Sequence, residues 1–493
     1  MNRALRRVSL ACLVMFVALL VNVNYLQGFQ ANSLANEPHN LRTFDQQFQY
    51  QRGSITTSDG VTIAASRPVK GIYKFQRYYS DGAVYAPITG YDSIYSQTGI
   101  EQAENKLLSG TDPTLTVGNL VGLVTGKPQQ GASVQLTINS KAQQAAYAGL
   151  KANGNSGAVV AMNPSTGAIL AMATYPSYNP NGYTTFNGTA LNSYDKKLRG
   201  ESSQPLLNRA LNETYPPGST FKIVTSSTAF NHLGLTTTSS IYAPTVLTLP
   251  DTRNTLINND GEVCGYSGNS HAPVYVAFAQ SCNTAFGHLG EQVGSAALKS
   301  EAEKFGMNDS NLSVPMVASP SSYPLVQGGA YTAYSAIGQY DDTVTPLQEA
   351  MFSAAIANGG KLMKPYLVQT VKAPDLSTVQ SASPAELAQP DSASTAGMIT
   401  TMMKDVVNEP YGTAYAVPGI HGAGLDIAGK TGTAQNGAND TGLNDAVFTA
   451  FAPASNPTIA VGVVIKGGGY GAAAAAPIAV AVIKAYLSYL GRS

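Results

Sequence analysis

Residues 215–225 read Tyr-Pro-Pro-Gly-Ser-Thr-Phe-Lys-Ile-Val-Thr, and no regular element can run through them. Pro216, Pro217 and Gly218 force a turn. Ser219 is a good N-cap, and Phe221, Ile223 and Val224 begin an apolar helical run. Lys222 lies one turn on from Ser219, on the same helix face. A hydroxyl at a helix start with an amine beside it has the layout of an activated nucleophile. Taken alone, the stretch reads first as a capped amphipathic helix whose lysine reaches water. Ser193-Tyr-Asp-Lys196 repeats the serine–lysine spacing without the breaker or the apolar helix.

The rest of the chain gives this stretch a setting. Its 493 residues and 44% hydrophobic content suffice for several domains with large cores. Basic and acidic residues balance at 29 each, whereas a nucleic-acid binder would carry a basic stripe, so no nucleic-acid partner is expected. Arg3, Arg6 and Arg7 precede an apolar run from Val8 to Leu26. That run reaches ~28 Å as a helix, about the thickness of a bilayer's hydrocarbon core. Ala31-Asn-Ser-Leu-Ala35 is a poor cleavage site, so residues 1–30 read as an uncleaved single-pass anchor in the cell membrane. The arginines predict a cytoplasmic N-terminus and an extracytoplasmic remainder.

Residues 31–145 form a smaller N-terminal pedestal in this reading. Residues 51–64 suggest two strands around a Ser58-Asp59-Gly60 turn. Tyr73–Tyr95 suggest more strand and loop, Gly99–Leu108 a short helix, Val134–Ile138 a strand and Lys141–Leu150 a helix. The region shows no catalytic constellation, which leaves a pedestal or partner-binding role.

Residues 146–493 then read as one α+β domain, with strands at both ends and helices between. The strands are Gly157–Met162, Ala168–Ala173, Ile427–Gln435, Ala446–Ala452 and Ile459–Lys466, joined into one antiparallel sheet. Helical patterns cover Ser219–Leu233, Tyr275–Val293, Pro346–Ala357 and Pro477–Leu490. Thr174–Ser193 and Ser377–Ser394 read as loops.

Two further motifs bear on Ser219. In Ser281-Cys-Asn283, a hydroxyl that can relay protons and an amide that can donate to a carbonyl stand two residues apart in a turn or bent helix. In Gly429-Lys-Thr-Gly-Thr-Ala434, Lys430, Thr431 and Thr433 suit a substrate carboxylate, and the glycines permit close approach. The stretch Gly424–Thr431 also spells a phosphate loop. Gly432 and the strand pattern that follows argue against it, because a phosphate loop opens a helix. Cys264 and Cys282 lie outside the membrane, and a bridge or two buried free thiols are both open readings. The five histidines form no ligand pattern, so no metal and no cofactor are expected.

S-x-x-K, S-x-N and K-T-G, in this order, resemble the three motifs of penicillin-binding proteins and serine β-lactamases. Residues 150–493 are similar to the transpeptidase domain of class B penicillin-binding proteins, notably at Asn208–Lys222, Thr345–Gln348 and Ala428–Ala434. The short N-terminal module most resembles that of the actinobacterial A-type members. Asp445-Ala-Val-Phe448 and Gly338-Gln-Tyr340 depart from the common His-Ala-Trp-Phe and Gly-Gln-Gly.

The resemblance implies peptidoglycan D,D-transpeptidation in cell-wall synthesis on stem peptides ending in D-Ala-D-Ala, and acylation by β-lactam antibiotics. It implies Ser219 as nucleophile, Lys222 as base, Ser281 as proton shuttle and Asn283 as substrate orienter. Lys430, Thr431, Gly432 and Thr433 would hold the terminal carboxylate, with backbone N–H groups of Ser219 and Thr433 as the oxyanion hole. No E-x-x-x-N pattern lies between Ser281 and Lys430, so a persistent acyl-enzyme is expected. A carboxypeptidase, in which water replaces the acceptor amine, is the rival enzyme. A silent scaffold that recruits division or elongation proteins through residues 31–145 is the rival of another class.

Overall fold

The computed structural model describes residues 3–30, 47–115, 129–265, 269–422, 424–435 and 444–491. An apolar helix, α1 (Arg3–Tyr25), opens the chain with its side chains exposed from Arg6 onward. Residues Arg6–Gln30 are long and apolar enough to cross a bilayer. Gly471–Tyr489 is long enough as well, but most of it is buried in the protein.

The N-terminal sheet is built from β1 (Ile55–Thr56), β2 (Thr62–Pro68), β3 (Phe75–Tyr79) and β4 (Ser133–Leu136). Its order is completed by two strands from far down the chain, Val368–Lys372 and Thr378–Ser381. Val371 pairs with Val134 across this junction. The expected loop at Ser377–Ser394 therefore holds a strand. Thr378–Ser381 lies at the sheet's edge with mostly exposed side chains, so no hydrophobic alternation betrays it. Beneath the sheet Glu101 is fully buried between Arg52 and Arg77, each with Nε 2.6 Å from a carboxylate oxygen. Burial would raise the Glu101 carboxyl, but the two guanidiniums hold it below the usual range.

Tyr73–Tyr95 also departs from the sequence reading, because it holds helix α2 (Gly82–Thr89) after β3. One turn of apolar residues, Tyr85–Ile88, is buried there, and the Val84 carbonyl accepts from Gln143 Nε2 at 2.8 Å. Asn139 caps helix α3 (Ser140–Asn153), accepting from the N–H groups of Lys141 and Ala142.

The second sheet contains β5 (Gly157–Met162), β6 (Ile169–Tyr175), β7 (Ala428–Ala434), β8 (Asp445–Ala452) and β9 (Ile459–Ile465). Its order is β7-β8-β9-β5-β6, antiparallel throughout, which is the expected α+β sheet. Every residue of β5, β8 and β9 is buried, so both faces are covered and the strands read as apolar runs rather than alternations. The segment expected as a loop at 174–193 carries the start of helix α4 (Gly188–Gly200). Its asparagines are caps: Asn187 accepts from the Ala190 N–H at 3.1 Å, and Asn179 from Asn181 at 3.1 Å. Asparagine favours loops for the same reason that it starts helices, so composition misleads there.

Four helices position the site. They are α5 (Lys222–Leu233), α6 (Val274–Ala279), α7 (Asn283–Val293) and α8 (Pro346–Ala357). Helix α8 lies flat on β9 because Gly462 has no side chain; a Cβ there would stand 2.5 Å from the Ala350 nitrogen.

Candidate active site

The Pro216-Pro217-Gly218 break is followed by a tight 3₁₀ turn, Gly218–Phe221, before α5 begins at Lys222. Ser219 therefore sits inside the turn and makes no capping bond, unlike the N-cap role its sequence position suggests. The turn is wedged between two neighbours. Gly218, at φ 56°, donates its N–H to the Gly338 carbonyl at 2.8 Å, and a Cβ on it would lie 2.8 Å from the Thr433 carbonyl. Gly338, at φ 73°, sits so close that its own Cβ would fall 2.0 Å from the Gly218 carbonyl.

Lys222 is fully buried, and its Nζ lies 3.0 Å from Ser219 Oγ. The same Nζ donates to the Ser281 carbonyl at 2.7 Å and to Asn283 Oδ1 at 2.8 Å, with Ser281 Oγ at 3.3 Å. Residues 280–282 break the expected single helix over Tyr275–Val293 into α6 and α7. Ser281 takes φ 58°, rare for a residue with a side chain, and this turns both of its oxygens toward Lys222. Asn283 then opens α7, its Nδ2 donating to the Ile257 carbonyl at 3.2 Å.

Lys430 completes the cluster from β7. It is fully buried, with Nζ donating to Ser281 Oγ at 2.8 Å and to the Thr431 carbonyl at 3.0 Å. Burial pushes the Lys430 amine down to about 7. Burial also takes Lys222 well below the usual lysine range, and the Lys430 charge adds to that effect. Gly432 backs onto the turn: a Cβ there would meet the Pro217 carbonyl at 2.9 Å. The structure thus gathers Ser219, Lys222, Ser281, Asn283 and Lys430 on one hydrogen-bonded cluster, with Thr431 and Thr433 beside it on the wall of a cleft of about 540 Å³. The Ser193–Lys196 stretch lies elsewhere, on α4, where Ser193 Oγ donates to the Thr189 carbonyl.

Several lining residues carry no signal in the sequence. Thr413 Oγ1 is 2.6 Å from Thr431 Oγ1, and the Thr413 N–H donates to the Ala279 carbonyl at 3.1 Å. Tyr470 and Asn444 also line the cleft. Gln339, whose Nε2 reaches the Thr433 carbonyl at 3.5 Å, lies within the Gly338–Tyr340 triplet that the sequence did single out. A disulfide joins Cys264 to Cys282, their Cα atoms 5.8 Å apart, and so ties the neighbouring loop to the middle residue of Ser281–Asn283. Among the described residues no cluster of histidine, cysteine or acidic side chains could hold a metal ion.

The arrangement matches a known fold and family over most of the chain. Residues 157–484 match the penicillin-binding protein transpeptidase domain, and residues 52–134 match the dimerisation domain of penicillin-binding protein A. The chain belongs to the penicillin-binding protein transpeptidase family. It is 40% identical to the peptidoglycan D,D-transpeptidase PbpA of Mycolicibacterium smegmatis, over 99% of both chains. It is 37% identical to the Mycobacterium tuberculosis protein of the same name, again over 99% of both. A crystal structure of penicillin-binding protein A from M. tuberculosis, a ceftriaxone acyl-enzyme complex, superposes with a TM-score of 0.85 at 37% identity, covering 90% of this chain and 100% of that one. The penicillin G acyl-enzyme of that protein gives 0.84 at 37% identity, over 89% of this chain and 100% of that one. The phosphate-loop reading of Gly424–Thr431 falls with the family and with the position of β7 in an antiparallel sheet.

Proposed function

We propose that this penicillin-binding protein is a peptidoglycan D,D-transpeptidase in which Ser219 is the nucleophile and Lys222 the base. The observation that carries the assignment is the hydrogen-bond arithmetic at Lys222. A neutral amine has two N–H groups and one lone pair. The Ser281 carbonyl and Asn283 Oδ1 can only accept, and they take both N–H groups. The lone pair is left for the O–H of Ser219, 3.0 Å away. Burial and Lys430 favour that neutral form.

In the reaction Ser219 Oγ attacks the carbonyl of the penultimate D-Ala of a stem peptide while Lys222 takes its proton. The backbone N–H groups of Ser219 and Thr433 stabilise the oxyanion, each such donor contributing ~2.7–4 kcal/mol in a transition state. Ser281 Oγ accepts from Lys430 and stands 3.3 Å from Lys222 Nζ, so once Lys222 holds the Ser219 proton its third N–H can reach Ser281, which gives its own proton to the departing D-Ala and takes one from Lys222 in return. Lys430, Thr431 and Thr433 hold the terminal carboxylate; Gly432 lets the strand close on the nucleophile's turn, and Asn283 orients the substrate amide through its second N–H. An amine from a neighbouring stem peptide then takes the acyl group, which frees Ser219 and forms the crosslink. A β-lactam acylates the same oxygen, and the ring-opened product stays attached.

Helix α1 anchors the enzyme in the membrane lipid with Arg3, Arg6 and Arg7 on the cytoplasmic side, and the N-terminal module offers a surface to division or elongation proteins. Labelling with a fluorescent penicillin tests the core assignment. Wild type forms a covalent band, Ser219→Ala forms none, and Lys222→Ala is acylated at least ~100-fold more slowly. A labelled Ser219→Ala protein would refute the nucleophile.

A further inference from the structure

Behind the nucleophile lies a carboxyl group for which the acyl-transfer chemistry has no use. Glu349, on α8, is fully buried. Its Oε1 stands 2.9 Å from the hydroxyl of Thr220, the residue after the nucleophile. The Thr220 hydroxyl is also 2.8 Å from the Pro217 carbonyl. Glu349 Oε2 has no hydrogen-bond partner.

The protons decide how these groups are bonded. A threonine hydroxyl has one proton to give. The Pro217 carbonyl can only accept, and an ionised carboxylate can only accept. One hydroxyl cannot serve both with full bonds, and the ionised form would also leave a charge buried at 0% exposure with no cation hydrogen-bonded to it. Both contacts are satisfied when the carboxyl carries the second proton. The Glu349 O–H then donates to Thr220 Oγ1, and the Thr220 O–H donates to the Pro217 carbonyl. Oε2 becomes the carbonyl oxygen, the least costly atom to leave unpaired. Burial agrees with the count, pushing the Glu349 carboxyl up to about 8.

We infer that Glu349, in its protonated form, is a positioning residue for the nucleophile: it orients the Thr220 hydroxyl, which pins the Pro217 carbonyl and with it the turn that presents Ser219. The pinned carbonyl faces Gly432 of β7, where a Cβ would approach it to 2.9 Å. The relay therefore fixes the spacing between the nucleophile's turn and the strand that carries Lys430 and Thr433. A few tenths of an ångström there change the distance from Ser219 to the oxyanion-hole and carboxylate sites. This inference rests on the assignment of Ser219 as nucleophile.

The test is the time course of acylation by a fluorescent penicillin, resolved into a binding constant and a first-order acylation rate. Glu349→Leu removes the donor and keeps most of the volume; acylation should slow at least ~10-fold with binding unchanged. Glu349→Gln restores a donor to Thr220 and should acylate within ~3-fold of wild type. Thr220→Val should behave like the leucine variant, and it answers the question if the leucine protein does not fold. A Glu349→Leu or Thr220→Val protein that acylates at the wild-type rate overturns the inference. So does a folded glutamine variant as slow as the leucine one. Ser219→Ala runs alongside as a control: covalent label on it would refute the nucleophile instead, a result distinct from either of these.

Discussion

Two amines and one hydroxyl set the behaviour of the site at the scale of single residues. Lys222 and Lys430 both reach Ser281 Oγ, at 3.3 and 2.8 Å, inside a pocket that excludes both from water. Burial lowers both amines, and the Lys430 charge further raises the cost of a charge on Lys222. With Lys222 as the proposed base, its protonation removes the lone pair, and acylation should fall as pH falls. Replacing Lys430 by methionine deletes a positive neighbour, which favours the charged form of Lys222 and raises its pKa. The acid limb of acylation against pH should then move to higher pH, on top of a slower rate if Lys430 is the carboxylate anchor proposed above. A limb that stays in place or moves down would show that Lys430 does not act on Lys222. Serine, lysine and asparagine at fixed spacings were legible in the sequence because each motif is local. Thr413 and Glu349 were not: a lone threonine in a loop and one acid in an apolar helix acquire meaning only from the residues that face them. Ser219 was read as a cap because its neighbours are those of a cap, and no sequence rule shows that a 3₁₀ turn would precede the helix.

At the scale of elements, the site depends on short irregular pieces between regular ones. The Pro217–Thr220 turn, the residue with φ 58° at 281 and the close approach at Gly338 all fall where a helix or strand starts or stops. Such places carry the positive φ values and near contacts that regular elements exclude. Gly338 is the sharpest case, with φ 73° and a Cβ position 2.0 Å from the Gly218 carbonyl. Gly338→Ala must push the turn that holds Ser219 away, because the atom it meets is backbone and cannot rotate aside. The shift should slow acylation by about 100-fold, the scale of a 1 Å misplacement at a reacting centre. Far-UV circular dichroism should remain that of wild type, and wild-type labelling would mean that the turn has slack that the contacts conceal. The helices and strands of the larger domain were legible from apolar runs between breakers. The strand at Thr378–Ser381 and the helix starting at Gly188 were not, since one has exposed side chains and the other begins in a run of asparagine and glycine.

The whole molecule is more closely joined than its linear order implies. A division near residue 145 follows the composition, yet the N-terminal sheet takes two of its six strands from residues 368–381. Val371 is fully buried and belongs to the same continuous core as Ile55 and Val134 on one side and Phe221 and Ile483 on the other. Strand pairing over more than two hundred residues leaves no local trace, because each partner is a short ordinary strand by itself. Such a core should melt as a unit. Differential scanning calorimetry of the full chain in detergent should give one cooperative transition for the N-terminal sheet and the transpeptidase domain together. Val371→Ala should destabilise that single transition by about 2 kcal/mol, the cost of a buried aliphatic truncation. Fluorescent-penicillin labelling at rising temperature should be lost in the same step, since the hairpin that completes the first sheet hangs from the domain that holds Ser219. Two separate transitions, with Val371→Ala moving only the one that leaves labelling intact, would show that the pedestal and the catalytic domain are independent bodies joined only by a shared strand pair.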